Sequence, residues 1–158
     1  MKTALRFLLA LVILAVVVSL ALIWVPVQRT PPSETLAADW KPEPGRGAYV
    51  MRAADCAACH TADGGTPLAG GRAIASPMGG IWSSNITPPK ASGIGNWTLD
   101  QFRAALVDGL DDHGKHLYPA MPYENYRYMS ESDIRALYDH LMHEVKPVNS
   151  TVKATQLS

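Results

Sequence analysis

The sequence contains little cysteine. Its 158 residues include two, Cys56 and Cys59, so any metal or redox chemistry of cysteine must come from one short segment. A structural zinc ion needs four cysteine or histidine ligands. The four histidines other than His60 all lie beyond residue 112 in the sequence. The composition therefore disfavours a structural zinc site.

The sequence also lacks an excess of charge of either sign. It has 14 basic and 14 acidic side chains, and without Lys2 and Arg6 the remainder has 12 basic against the same 14 acidic groups. Nucleic-acid-binding domains carry basic patches or stripes, so this balance gives no sign of a nucleic-acid partner. Internal repeats are absent, and the chain also lacks the alternating strand and helix pattern that surrounds a thioredoxin-like CxxC.

One long hydrophobic run is present, from Leu8 to Val27, and Ser19 is its one polar side chain. A helix needs about 20 such residues to cross a hydrocarbon core of about 30 Å. The preceding Lys2 and Arg6 place the N-terminus in the cytoplasm and the rest of the chain outside. Trp24 fits an interfacial position. We favour an uncleaved anchor, because the run exceeds the 7–15 residues of a signal core. A signal cleaved near Ala21 is the alternative.

The composition divides the chain into four parts. Residues 1–27 form the predicted membrane anchor, and residues 28–44 are rich in proline and predict an extended tether. Residues 45–147 form the domain proper. Residues 148–158 are polar, have no periodicity and predict a disordered tail.

Apolar spacing predicts three helices and no strands, hence an all-α domain. The first runs from Gly47 to Ala58. The second begins at Thr98, which forms a capping box with Gln101, and the third begins at Ser130 and stops before Pro147. The first two helices are joined by a long glycine- and proline-rich segment, and such loops are uncommon in compact domains. A large apolar cofactor resolves this conflict, because the loop can wrap around it.

The two cysteines stand in Cys56-Ala57-Ala58-Cys59-His60, a CxxCH motif of c-type haem attachment. On one helical turn both sulfurs can reach the two vinyl groups along one side of a porphyrin, and the next residue lies beneath the ring. His60 then supplies the proximal iron ligand. A redox dithiol, a zinc site and a simple disulfide are the alternatives. The export signal favours haem, since covalent haem is attached outside the cytoplasm.

Met121 is the favoured distal ligand. It lies in Leu117-Tyr118-Pro119-Ala120-Met121-Pro122-Tyr123, where two prolines restrict the backbone around a flexible thioether. Met51 and Met142 lie on helical stripes and are interpreted as core residues. Met78 and Met129 lie in predicted loops, but neither has prolines on both sides. The pair His113 and His116 is the main rival, and His140 and His143 are interpreted as exposed histidines on a helix.

Beyond CxxCH, an ordered set of motifs spans about residues 45–147 and resembles a class I cytochrome c, as found in a haem module of the cytochrome c subunits of bacterial membrane-bound alcohol, aldehyde and gluconate dehydrogenases. The segments that carry the resemblance are Tyr49 to Gly65, Leu68-Ala69-Gly70-Gly71, Ser83 to Pro88, Gly93 to Trp97, Leu117 to Tyr123 and Ser130 to Leu141. The resemblance implies a helical domain wrapped around haem c, with His60 and Met121 as axial ligands.

The resemblance also implies a function, namely transfer of single electrons from a dehydrogenase catalytic subunit towards quinone or a terminal oxidase. The expected location is the bacterial inner membrane, with the haem domain in the periplasm and membrane lipid around the anchor. Family members commonly carry three haems, whereas this chain has one CxxCH. Its Pro88-Pro89-Lys90-Ala91-Ser92 segment also stands where relatives often have acidic residues. A peroxidase-like haem enzyme or a gas or redox sensor is the alternative, and either needs an exchangeable distal ligand.

Overall fold

The computed structural model describes residues 2–23, 25 and 28–157. These residues form six helices and three short strands. In chain order the elements are α1 (Lys2–Ile23), α2 (Arg46–Ala53), α3 (Cys56–His60), β1 (Ala73–Ile74), β2 (Gly79–Trp82), α4 (Leu99–Asp108), α5 (Tyr123–Tyr126), α6 (Glu131–His143) and β3 (Gln156–Leu157).

Helix α1 has the length and the apolar composition of a membrane span over Thr3–Ile23, and none of that stretch is buried against the rest of the chain. An anchor and a signal sequence both have these properties. Trp24, predicted to lie at the membrane interface, falls outside the described residues. The structure therefore agrees with both readings of the N-terminus.

Helices α2 and α6 cross at a point where their backbones nearly touch. A Cβ atom on Gly47 would lie 2.2 Å from the carbonyl oxygen of Ala136 and 2.4 Å from the Cβ of His140. Beside this contact an exposed ion pair joins the helices, since Arg46 donates to both carboxylate oxygens of Asp133 at 2.6 and 2.9 Å. Arg46 lowers the pKa of the Asp133 carboxyl through these hydrogen bonds.

The close contact between α2 and α6 predicts how Gly47→Ala changes the free energy of unfolding. Alanine is favoured over glycine inside a helix by about 1 kcal/mol, so an uncrowded position would be stabilised by the change. Here the added methyl overlaps the main chain of α6. We therefore expect a net destabilisation of about 1–3 kcal/mol, measured by urea unfolding. A gain in stability would show that the two helices do not meet as described.

The starts of α4 and α6 follow the predicted signals, whereas α6 ends at His143, a few residues before the predicted stop at Pro147. Thr98 and Gln101 form the capping box of α4, and Gly109 ends that helix with φ 65°. The Ser130 hydroxyl caps α6 by accepting from the amide of Asp133. The first predicted helix is instead divided into α2 and α3, because Asp55 takes a left-handed conformation with φ 52°.

A small sheet departs from the predicted all-α fold, with β1 and β2 in the long loop and β3 after α6. Strand β2 pairs antiparallel with β1 (Ala73 opposite Trp82) and with β3 (Gly80 opposite Gln156). Strands of two to four residues are too short to show alternation in sequence. The domain is therefore mostly helical with a small sheet, and the predicted fold class is confirmed in this coarser form.

Residues 28–44, predicted as a tether, lie against the domain and are called here the N-terminal strap. Arg29 donates to Asp100 at 2.5 Å, and the backbone amide of Thr30 donates to Asp108 at 3.0 Å. The Thr30 carbonyl accepts from the buried Arg103. The strap is thus fastened to helix α4 within a few residues of its start.

Candidate cofactor site

A cavity of about 360 Å³ lies between α3, the small sheet, α4, α6 and the loop that precedes α5. Its wall is mainly apolar and aromatic, and it also contains all four residues predicted from the sequence. The predicted residues are Cys56, Cys59, His60 and Met121. Apolar neighbours in the wall include Ile81, Ile94, Trp97, Phe102, Leu106 and Leu137. A cavity of this kind suits a large, flat, apolar ligand.

Helix α3 presents both cysteines to the cavity. Cys56 and Cys59 are free thiols and are half-buried. Burial raises the pKa of the Cys56 thiol to about 11, whereas the attacking cysteine of a redox dithiol has a lowered pKa. Cys56 therefore lacks the lowered pKa that the attacking cysteine of a thioredoxin-like pair would need.

His60 is held in one orientation by a main-chain contact. Its Nδ1–H donates to the carbonyl oxygen of Ser84 at 2.7 Å. Because a carbonyl only accepts, this bond leaves the Nε2 lone pair of the neutral ring free for a metal. Burial lowers the pKa of His60, and the bond to Ser84 opposes that shift. A hydrogen bond of this type commonly orients a metal-binding histidine.

The position of the Ser84 carbonyl depends on Gly70. The Gly70 amide donates to the His60 carbonyl at 2.8 Å. Its φ is 73°, and a Cβ there would lie 2.5 Å from the carbonyl carbon of Ser84. Because Gly70 has no side chain, the segments around Gly70 and Ser84 pack directly against each other. Their contacts hold both the main chain of His60 and the carbonyl that binds its ring. Sequence reasoning missed this role of Ser84.

Met121 enters the cavity from the loop before α5. Leu117 and Tyr118 of the same loop also line the wall. Two hydrogen bonds hold the start of the loop: the Leu117 amide donates to the Gly109 carbonyl at 2.8 Å, and the Tyr118 hydroxyl bonds the Ser76 hydroxyl at 2.8 Å. The thioether therefore lies on a loop that is both proline-restricted and hydrogen-bonded.

The rival distal ligands lie elsewhere among the described residues. Met78 is 50% exposed, and the His113 side chain is 77% exposed. Met129 packs against the hydrophobic core, and His116 is exposed. These four residues do not line the cavity, whose described wall carries a single histidine, His60. Of the candidates raised from the sequence, the structure brings Met121 together with the CxxCH segment.

Several wall residues were not identified from the sequence. Trp82 and Ile81 come from strand β2, and Thr155 comes from the C-terminal segment. Tyr126 also lines the wall, and its hydroxyl donates to the Ala54 carbonyl just before α3. The short strand has no recognisable pattern, so no sequence signal pointed to this side of the cavity.

Comparison with known proteins gives a consistent result. The family described as Cytochrome c matches residues 45–144. The cytochrome subunit of fructose dehydrogenase from Gluconobacter japonicus is 51% identical over 132 residues, which cover 83% of this chain and 27% of that subunit. The cytochrome c subunit of a quinone alcohol dehydrogenase from Gluconobacter oxydans is 52% identical over 113 residues, or 72% of this chain and 24% of that subunit.

A third relative, the cytochrome c subunit of gluconate 2-dehydrogenase from Pantoea cypripedii, is 47% identical over 112 residues. That match covers 71% of this chain and 25% of the relative. The chain thus spans about a quarter of the length of each of these three relatives. All three are cytochrome subunits of dehydrogenases and not the catalytic subunits.

Proposed function

The chain belongs to the cytochrome c family, and from this premise we propose that it is a membrane-anchored monohaem cytochrome that transfers single electrons. When bound, haem c supplies an iron that changes oxidation state by one electron. The proposal rests on one observation: a single apolar cavity is lined by Cys56, Cys59, His60 and Met121.

Each of these residues takes one role in the proposal. Cys56 and Cys59 form the two thioether bonds to the porphyrin. His60 gives its Nε2 to the iron, and the bond from its Nδ1–H to Ser84 fixes the plane of the imidazole. Met121, which lines the same cavity, would give its sulfur to the iron as the second protein ligand. Since Cys56 and Cys59 are the only cysteines of the chain, one haem is attached.

Two protein ligands on the iron favour electron transfer over catalysis. A peroxidase or a gas sensor needs an open or exchangeable iron position, with polar groups beside it. The described cavity wall carries one histidine, and His113 and His116, the sequence's best candidates for a distal pair, lie outside it. The arrangement therefore supports an outer-sphere electron carrier better than a haem enzyme.

The relatives suggest the partners. They are cytochrome subunits of fructose, gluconate and alcohol dehydrogenases, the last described as a quinone enzyme. We propose that a dehydrogenase catalytic subunit reduces this haem and that quinone or a terminal oxidase receives the electron. One haem on a chain about a quarter of the relatives' length provides one step of such a relay.

The proposed location follows from helix α1. Residues 1–27 anchor the chain in the bacterial inner membrane, and the haem domain, residues 45–147, lies in the periplasm. Helix α1 supports this proposal because it is fully exposed and apolar over Thr3–Ile23. Its burial in lipid would hold the chain independently of surface charge.

One experiment on isolated membranes tests both parts of the proposal. We expect the haem to stay with the membranes through a high-salt wash, to be released by detergent, and to bind no carbon monoxide promptly after reduction. Salt screens surface charges but leaves a buried helix in place. A soluble form beginning beyond Ala21 would instead identify a cleaved signal. Prompt carbon monoxide binding by the unaltered protein would replace the electron-carrier function with the enzyme or sensor function.

A further inference from the structure

The segment 148–157, called here the C-terminal strap, follows a defined path across the domain, whereas the sequence predicted a disordered tail over 148–158. Its first part is fastened to buried polar side chains. The Val148 amide donates to the Thr87 hydroxyl at 3.2 Å, and the Asn85 side-chain amide donates to the Val148 carbonyl at 2.8 Å. Thr87 and Asn85 are 0% and 3% exposed. The Ser150 hydroxyl then donates to the Ala69 carbonyl at 2.6 Å.

The second part of the strap lies over the sheet side of the cavity. Strand β3 extends the sheet by pairing with Gly79 and Gly80 of β2. The Trp82 amide donates to the Thr155 hydroxyl at 3.5 Å, and the Lys153 ammonium lies 4.2 Å from the centre of the Trp82 ring. Thr155 and Trp82 both line the cavity. The strap thus contributes Thr155 to the cavity wall and covers Trp82, a second wall residue.

We propose that the C-terminal strap is part of the haem site and raises the reduction potential of the haem by limiting its contact with water. This inference rests on the proposed function. The oxidised haem carries one more positive charge than the reduced form, and water stabilises that charge. Solvent exposure and nearby hydrogen bonds are among the factors that set the potentials of redox centres. A wall that excludes water therefore favours the reduced form.

The strap could act through Lys153 instead of through its bulk. A cation near the haem also disfavours the oxidised state, and removal of the strap removes this cation as well. Lys153→Gln separates the two effects, because it keeps the chain in place and removes the charge. If water exclusion dominates, this variant changes the potential much less than loss of the strap does.

The test compares the full-length haem protein with a variant lacking residues 151–158. This variant keeps Val148 and Ser150, which bond Asn85, Thr87 and Ala69, so the domain retains the deeper half of the strap. We expect the equilibrium constant for haem reduction to fall about tenfold, which is about 59 mV for one electron. Hydrogen exchange at the Trp82 amide should accelerate, and the charge-transfer band of the methionine–iron bond should remain. Replacement of residues 151–157 by glycine and serine should give the same result as deletion.

Three results would overturn the inference. One is an unchanged potential in the truncated protein, and another is a fall reproduced in full by Lys153→Gln. Unchanged exchange at the Trp82 amide would also contradict it, because the strap would then not cover that strand. Failure of the proposed function is distinguishable, since the full-length protein would then lack covalent haem or bind carbon monoxide before any truncation.

Discussion

Met121→Ala is expected to open one face of the haem iron while the haem stays covalently attached. Met121 is the thioether in the cavity wall, and its loop is held by Pro119, Pro122 and the bond from Leu117 to Gly109. Without the sulfur, water or another weak ligand takes the vacant position. The oxidised protein should lose the long-wavelength charge-transfer band, the reduced protein should bind carbon monoxide, and the potential should fall. Visible spectroscopy and a redox titration measure these changes.

Met78→Ala and Met129→Ala are the matched controls. Met78 is half exposed, and Met129 packs against the core outside the cavity wall. Both variants should retain the band, although Met129→Ala should lose some stability through its packing. If Met121→Ala retained the band and one of the controls lost it, the distal ligand would be the methionine replaced in that control.

The double substitution Cys56→Ala and Cys59→Ala is expected to abolish covalent haem. The two thiols stand on one face of α3 at the cavity, and no other cysteine exists to replace them. Acid-acetone extraction should remove all haem from the variant and none from the unaltered protein. The variant should also unfold at lower urea concentration, because an apolar cavity of about 360 Å³ loses the ligand that fills it.

Each single cysteine variant serves as a control for the double change. One remaining thioether bond should still retain haem against extraction, since attachment through either sulfur is covalent. Haem that is extractable from the unaltered protein would contradict the attachment. In that case the cavity would hold the haem by packing and by its bonds to His60 and Met121, without a covalent link to cysteine.

The sequence predicted the features that side-chain chemistry or helical period determine. The cap at Ser130 and the capping box at Thr98 defined helix starts, because short polar side chains satisfy free backbone amides there. CxxCH placed Cys56 and His60 on one helical turn. The prolines around Met121 pointed to a restricted loop, and the structure places that loop at the cavity.

Features that depend on the main chain were not predictable in the same way. The partner of His60 is the Ser84 carbonyl, and every residue has a carbonyl, so no residue type marks it. Strand β2 begins with two glycines and pairs with a polar segment far along the chain. The C-terminal strap is held by hydrogen bonds to Asn85, Thr87 and Ala69, and a polar segment has no apolar periodicity that would reveal such contacts.

The N-terminal strap determines how far the domain can move from the end of α1. Arg29 is bonded to Asp100, so the chain between Ile23 and Arg29 can span at most about 20 Å. A chain left free as far as Arg46 could span about 80 Å. With α1 in a membrane, this fastening reduces the volume that the domain can reach by about sixtyfold and raises its effective concentration near a membrane-bound partner that lies within that reach. Electron delivery would then depend on which subunits lie next to the anchor and very little on diffusion.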